Sequence, residues 1–437
     1  MSSQSDHPDH PDHRRWQDHL QQVVLPWWEQ AVRPGGGVYT CYSNDGRRTS
    51  NELYTWSQGR WAWLAAELAD EARAGRLDLD PEMWDERATS TAALLVERAV
   101  LDDATTSFRL SDAGDPLASG PDGELSTSVF ADLFVVLGIA GALRILGDDD
   151  HRRESWHRQA LRVLLAADSA IAARTAPSQP YPVPPGYADL AGPMTLVHVA
   201  SEMLRARDDD AVRGVRDRAR GRLLGSGGFL ELDQQRWWEF QPLTDDAADT
   251  MLASHRTPGH LLELVWMLLH SADQQAERLD TTSDLDPAPL VGLALKACEL
   301  GWDEQFGGIL RYVDSHGGEP EGRTIAEAAS PYETLVGSTW DTKLWWVHAE
   351  AMYAAHLLAR RTGDPRLARW ATTIEDYTMA TFPDPQGREW LQIRRRDGSP
   401  LDEVVALPVK DPFHIIRTLL LLNRLHATTE PARSPHP

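Results

Sequence analysis

The sequence predicts an all-α protein of about twelve helices, paired into six hairpins and closed into an (α/α)6 barrel, with short β-hairpin insertions. Three observations carry this. Apolar residues recur at three- and four-residue spacing along nearly the whole chain, as they do on helices that bury one face. Short Gly- or Pro-bearing links separate these segments, which sets neighbouring helices antiparallel. No repeat of fixed period appears, as a superhelical repeat array would require.

In chain order, the helical segments start near Trp16, Asn51, Asp80, Ser126, His151, Gly192, Asp210, Thr257, Asp286, Trp340, Asp364 and Asp411. Asp80-Pro81 and Asp364-Pro365 are strong start signals. The carboxylate accepts an orphan backbone N–H, and Pro at the first helical position has none to leave unpaired. Strand signals are sparse, the best being residues 307–313 and 390–394, each expected as an arm of a small hairpin. Two long links, 224–256 and 314–339, have the length of lids or binding loops. The first carries Trp237, Trp238 and Phe240, either a flap facing a ligand or an apolar plug. Residues 1–15 are polar, repeat His-Pro-Asp, and are expected as a disordered tail; 428–437 lack apolar content and are expected likewise. One catalytic-sized domain, 16–427, remains between them.

Composition narrows the function. With 437 residues, 42% of them hydrophobic, the chain can bury a large core. A formal charge of −23 repels phosphate backbones and anionic lipid, so no nucleic-acid or membrane partner is expected. Only two cysteines occur, Cys41 and Cys298, which fits a reducing, cytoplasmic setting and gives no thiolate metal site. There is no H-E-x-x-H, P-loop or G-x-G-x-x-G at a helix start, so no metal and no cofactor is expected. Tryptophan is frequent, at 17 residues, and lysine is confined to Lys296, Lys343 and Lys410.

Two histidines share one local grammar. Thr257-Pro258-Gly259-His260 and Asp411-Pro412-Phe413-His414 each read as cap, Pro, one residue, His, then an apolar run. Both histidines therefore fall at the third helical position. The positive end of the helix dipole and partial burial both disfavour an imidazolium there, so both are expected neutral and able to accept a proton. Facing one cavity, they would form an acid/base pair for proton abstraction beside a carbonyl. Taken singly, each reads more readily as a helix-start histidine bonded to backbone or solvent.

Other polar residues lie near these points. Glu263 shares a helix face with His260, and Lys410 precedes His414 by four. Lys343, Trp346 and Glu350 are spaced to share one face, with His348 between them. Trp56 and Arg60 share another, where the guanidinium fork suits oxygen-rich ligands.

These motifs resemble, in order, the N-acylglucosamine 2-epimerase superfamily. The matches are Trp56…Gln58-Gly59-Arg60, Pro258-Gly259-His260…Glu263, Gly301-Trp302-Asp303…Gly307-Gly308, Lys343-Leu344-Trp345-Trp346…His348…Glu350-Ala351, Phe382…Asp384…Glu389-Trp390 and Phe413-His414. The resemblance runs from about residue 36 to residue 425 and implies an (α/α)6 barrel with a small-molecule sugar as substrate. It implies that His260 and His414 move a proton through an enediol(ate), and that Trp56, Arg60, Glu263 and Trp346 line the sugar site. His198, Lys343, His348, Glu350, Trp390 and Lys410 are expected there too. Two departures stand out. Thr257 replaces the family's usual Asn, and Pro193-Met194-Thr195 lacks the Met-His of isomerases and disaccharide epimerases, while His198 lies one turn on. The implied reaction is C2 epimerisation of an aldose or N-acyl-hexosamine. Aldose–ketose isomerisation would use the same histidines. A glycoside hydrolase on this barrel would need two flanking carboxylates, for which Glu263 and Glu350 are available. Homodimers are common in the family; the sequence itself does not show one.

Overall fold

A computed structural model describes residues 14–118, 123–402 and 409–427; the expected tails lie outside these apart from Arg14 and Arg15, which already belong to the first helix. Twelve helices pair as expected. They are α1 (14–29, with a π turn at Leu20–Val24), α2 (Thr55–Arg73), α3 (Pro81–Leu94), α4 (Val129–Ile145), α5 (Arg152–Ala173) and α6 (Ala191–Ala206). The second half comprises α7 (Asp210–Leu224), α8 (Pro258–Leu279), α9 (Ala288–Gly301), α10 (Trp345–Thr362), α11 (Pro365–Thr381) and α12 (Phe413–Ala427). Even-numbered helices form the inner ring, each packed on the next, and α12 returns to α2.

Burial explains which helix goes where. The α4 sequence is apolar around its whole circumference, and nearly every residue from Val129 to Leu143 is buried. In α5, burial is confined to a stripe at helical spacing that includes Trp156, Ala160, Val163, Leu164 and Ala167, so it suits the outer ring. The ring is tightest where α2 crosses α4. A Cβ on Gly59 would lie 2.0 Å from the Phe134 carbonyl oxygen, so no other residue fits. The caps behave as read: Asp80 accepts from the Glu82 N–H at 3.0 Å and Asp364 from the Arg366 N–H at 2.8 Å.

All inner helices start at one end of the barrel. At the other end, buried charges from four of them lock together. Glu67 of α2 meets Arg144 of α4 at 2.6 Å, Arg205 of α6 at 3.0 Å and Arg424 of α12 at 2.6 Å. Glu202 takes up the second contacts of Arg144 (3.0 Å) and Arg205 (2.8 Å), so the carboxylates and guanidinium groups compensate one another.

The expected small hairpins are present: Trp302 bridges Ile309, Pro383 bridges Trp390 and Arg394 bridges Pro400, each antiparallel and local, and 230–231 pair with 236–237. Longer-range pairings join them. Residues 313–314 pair with 255–256, and 393–394 with 343–344, in antiparallel ladders between neighbouring helical hairpins. Residues 187–189 pair likewise with 240–242. Each ladder lies just before an inner helix, so the strands stitch together the loops at the mouth. The long 314–339 link contains a helix, Pro331–Thr339, started by a capping box of Ser330 and Glu333. Of the aromatic residues in the 224–256 link, Trp237 and Phe240 are 1% and 2% exposed and pack as a plug, while Trp238 is only half-buried.

Candidate active site

The predicted residues gather at the mouth end, where the inner helices start. Thr257 precedes α8 with extended backbone, and His260 takes the third helical position. Packing requires Gly259: a Cβ there would sit 2.8 Å from the Trp346 ring and 2.9 Å from Val347 Cγ2. Without it, the Trp346 indole lies beside the His260 ring, with centres 5.0 Å apart and planes at 31°. The same indole lies 5.9 Å from the His414 ring. Asp411 accepts from the Phe413 N–H at 2.8 Å; α12 begins at Phe413, so His414 takes its second position, one earlier than expected.

Each imidazole is held through Nδ1 by a buried carboxylate, which leaves Nε2 for chemistry. His260 Nδ1 lies 2.7 Å from Glu239 Oε1, and His414 Nδ1 lies 2.8 Å from Glu350 Oε1. The two carboxylates differ. Glu239 Oε2 is buried with no hydrogen-bond partner. Glu350 also accepts from Arg417 Nη2 at 2.6 Å and from Trp266 Nε1 at 2.7 Å. The same Arg417 nitrogen donates to Glu263 at 2.5 Å.

The histidines consequently diverge. Burial lowers the pKa of His260, but Glu239, helped by Glu263 and Asp189, outweighs burial and leaves it above the ordinary 6.5. Burial takes His414 down to about 3; Glu263 and Asp411 oppose this, while Arg417 and Arg60 add to it. The expected pair of neutral imidazoles is thus corrected for His260. A helix dipole contributes up to about 1 kcal/mol at such a site, less than a buried carboxylate in direct contact.

Arg60 pairs with Asp411, and its guanidinium packs over Phe134 (3.9 Å), Trp56 (4.9 Å) and Phe413 (4.9 Å). Trp56 Nε1, Arg60 Nε, and Arg417 Nε and Nη1 are buried donors with no partner. His198 is buried edge-on to Trp266 and Trp63, its Nε2 also unpartnered, and burial lowers it to about 4. Glu263, Glu350 and His414 offer ligand atoms within 4.8 Å of one another. Arg417 bridges the two carboxylates with its single positive charge.

Four expected site residues are elsewhere. Lys343 precedes the start of α10, fully buried, 3.2 Å from Asp303 and bonded to the Arg396 carbonyl. His348 is a core histidine: Nδ1–H donates to the Leu344 carbonyl at 2.8 Å and Nε2 accepts from the Ile309 N–H at 2.9 Å. Trp390 is fully buried and donates to His19 Nε2 at 2.8 Å. Lys410 pairs with Glu389 and donates to the Trp390 carbonyl at 2.9 Å. Glu350 is at the site, but its oxygens are committed to His414, Arg417 and Trp266 rather than to a ligand. The sequence reading missed Glu239 and Arg417.

Two hollows open on the rim. One, of about 780 Å³, is lined by Phe130, Asp189, Pro193 and Gln241 among others, and one of about 400 Å³ by Trp238, Arg256 and Lys296 among others. Neither is lined by His260 or His414.

A helical barrel that sets two carboxylate-held imidazoles against one tryptophan has the form of a sugar epimerase or isomerase. The chain belongs to the N-acylglucosamine 2-epimerase (GlcNAc 2-epimerase) family, whose model matches residues 124–417. It is 27% identical to the N-acylglucosamine 2-epimerase of Bos taurus, over 96% of this chain and 94% of that one. Among solved structures, the fold is shared with cellobiose 2-epimerase from Bacillus thermoamylovorans B4167: TM-score 0.71, 14% identity, 94% of this chain and 98% of that one. A D-mannose isomerase superposes with TM-score 0.70 at 15% identity, covering 96% of this chain and 100% of that one. The protein is accordingly an isomerase, and no described helix is long and apolar enough to cross a membrane.

Proposed function

We propose that the protein inverts C2 of an N-acyl-hexosamine or a related aldose, with His260 and His414 exchanging the C2 proton. The observation that carries this reading is the single indole of Trp346 flanked by both imidazoles, each fixed through Nδ1. A sugar lying on that indole would present opposite faces of C2 to the two Nε2 atoms. In the open-chain form, one imidazole removes the C2 proton and the C2–H electrons move onto the carbonyl as an enediolate. The other imidazole then protonates C2 from the opposite face. Arg60 and Arg417 carry positive charge and unpartnered donors suited to the oxyanion. Trp56 Nε1 and His198 Nε2 would bond sugar hydroxyls.

Glu263 and Glu350 both bond the same Arg417 nitrogen, one guanidinium charge shared between two carboxylates. Neither is free to serve as the acid or the base of a glycosidase, so hydrolysis is disfavoured. Similarity to N-acylglucosamine 2-epimerases over nearly the whole chain favours the N-acyl-hexosamine. We further propose a cytoplasmic location, supported by the two free, buried thiols Cys41 and Cys298.

The test is incubation in D2O with N-acetylmannosamine, mannose, glucose or cellobiose, each followed by NMR. Deuterium at C2 with inversion is expected for at least one of them, with the N-acyl-hexosamine fastest. A ketose product would make the protein an isomerase, and no change in any sugar would end the proposal.

A further inference from the structure

We infer that Glu239 gives the two histidines unequal roles, holding the resting proton on His260 so that His260 is the acid and His414 the base of the free enzyme. The inference rests on the two-histidine reading above. Glu239 comes from a link far from α8 in the chain and reaches His260 because 240–242 pairs with 187–189. Its carbonyl accepts the Leu190 N–H at 2.9 Å, which pins the residue. Its carboxylate is 1% exposed, one oxygen on His260 Nδ1 and the other unpartnered. Among the described residues no guanidinium or ammonium pairs with it directly; buried Arg256 acts on it from farther off and the Thr257 hydroxyl lies beside it, so His260, in direct contact, is the neighbour best placed to carry the positive charge that a buried carboxylate needs. Glu350 has less need of it: it accepts from Arg417 at 2.6 Å and from Trp266 at 2.7 Å, with the Arg417 charge shared between it and Glu263.

The wider surroundings act in the same sense. His260 faces Glu239 from the link, Glu263 from its own helix and Asp189 from the paired strand; His255 stands nearby and burial keeps it neutral. His414 faces Glu350, Glu263 and Asp411, but also Arg417 and Arg60. The resting form therefore accepts the epimer whose C2–H points at His414. That C–H bond breaks toward His414 Nε2, its electrons pass to the carbonyl, and the Nε2 proton of His260 forms the new C–H bond. Turnover leaves His414 charged and His260 neutral. One proton must then pass from His414 to His260, through solvent, before the next cycle.

Glu239→Gln keeps an oxygen for the Nδ1–H but removes the charge. The alkaline limb of kcat/KM is expected to move down by roughly one pH unit or more, with the acid limb unmoved. A slower enzyme with an unmoved alkaline limb would make Glu239 a strut and overturn the assignment. The wild-type chain supplies a second arm that is independent of turnover and of how the variant folds: ¹⁵N-histidine NMR titration, with His260→Asn to identify the resonance. His260 is expected to titrate above 6.5, and titration below that value overturns the inference. If His260 titrates high while no sugar reacts, the epimerase reading fails and the charge assignment survives.

Discussion

Replacing Gly259 by alanine tests whether the close fit of α8 against Trp346 matters. The added methyl would meet Trp346 Cζ3 at 2.8 Å, Cη2 at 3.1 Å and Val347 Cγ2 at 2.9 Å, where ordinary contact begins near 3.4 Å. Val347 is fully buried, so the indole is the group that yields, by roughly half an ångström or more. Overpacking of this kind costs about 1–3 kcal/mol. The better helix propensity of Ala returns up to about 1 kcal/mol, leaving a net loss of up to about 2 kcal/mol when that return is complete. Melting temperature should fall by a few degrees. Displacing the platform that both histidines touch should lower kcat/KM about 10- to 100-fold. Thermal denaturation and the rate of deuterium entry at C2 measure the two effects. A variant with wild-type melting temperature and wild-type rate would refute both the packing argument and the role of Trp346.

His260→Asn should lose epimerisation by about 10²–10⁴-fold. It should still exchange the C2 proton of the epimer facing His414, seen as deuterium uptake without inversion. Arg417→Met removes the guanidinium between Glu263 and Glu350 and should destabilise the fold by about 3–5 kcal/mol. It should also create a divalent-cation site from Glu263, Glu350 and His414, detectable as Zn²⁺ or Mn²⁺ binding by calorimetry that the wild type lacks. His348→Leu strands the Ile309 N–H and should cost about 1–3 kcal/mol with kcat/KM unchanged, which would separate this core histidine from the site. Buried Asp132 has its carboxyl pKa raised from 3.8 to about 7 by burial, despite the hydrogen bonds from Thr106. The folded state then binds more protons than the unfolded state between those values, so this group erodes stability as pH rises through that window. Asp132→Asn should remove that erosion, gaining on wild type from pH 4 to pH 8 in thermal melts.

Local chemistry made much of this legible. A cap followed by Pro marks a helix start whatever surrounds it, so His260 and His414 could be placed from a few residues each. The failures follow from contacts that spacing does not encode. Lys343 was read on one face with Trp346 and Glu350, but the helix begins at Trp345 and the lysine lies in a two-residue strand. His348 and Trp390 satisfy backbone and core partners that only the tertiary fold supplies. Glu239 depends on a pairing between segments some fifty residues apart. Its one trace in the sequence is a carboxylate set in the apolar run Trp237-Trp238-Glu239-Phe240, where a charge needs a partner.

The charged lock among Glu67, Glu202, Arg144, Arg205 and Arg424 has a mechanical consequence. It joins the far ends of four of the six inner helices, so none of the four can slide or splay without breaking a buried ion pair, which costs about 3–5 kcal/mol. The mouth, where His260 and His414 stand, is thereby carried on a frame that is anchored at its opposite end.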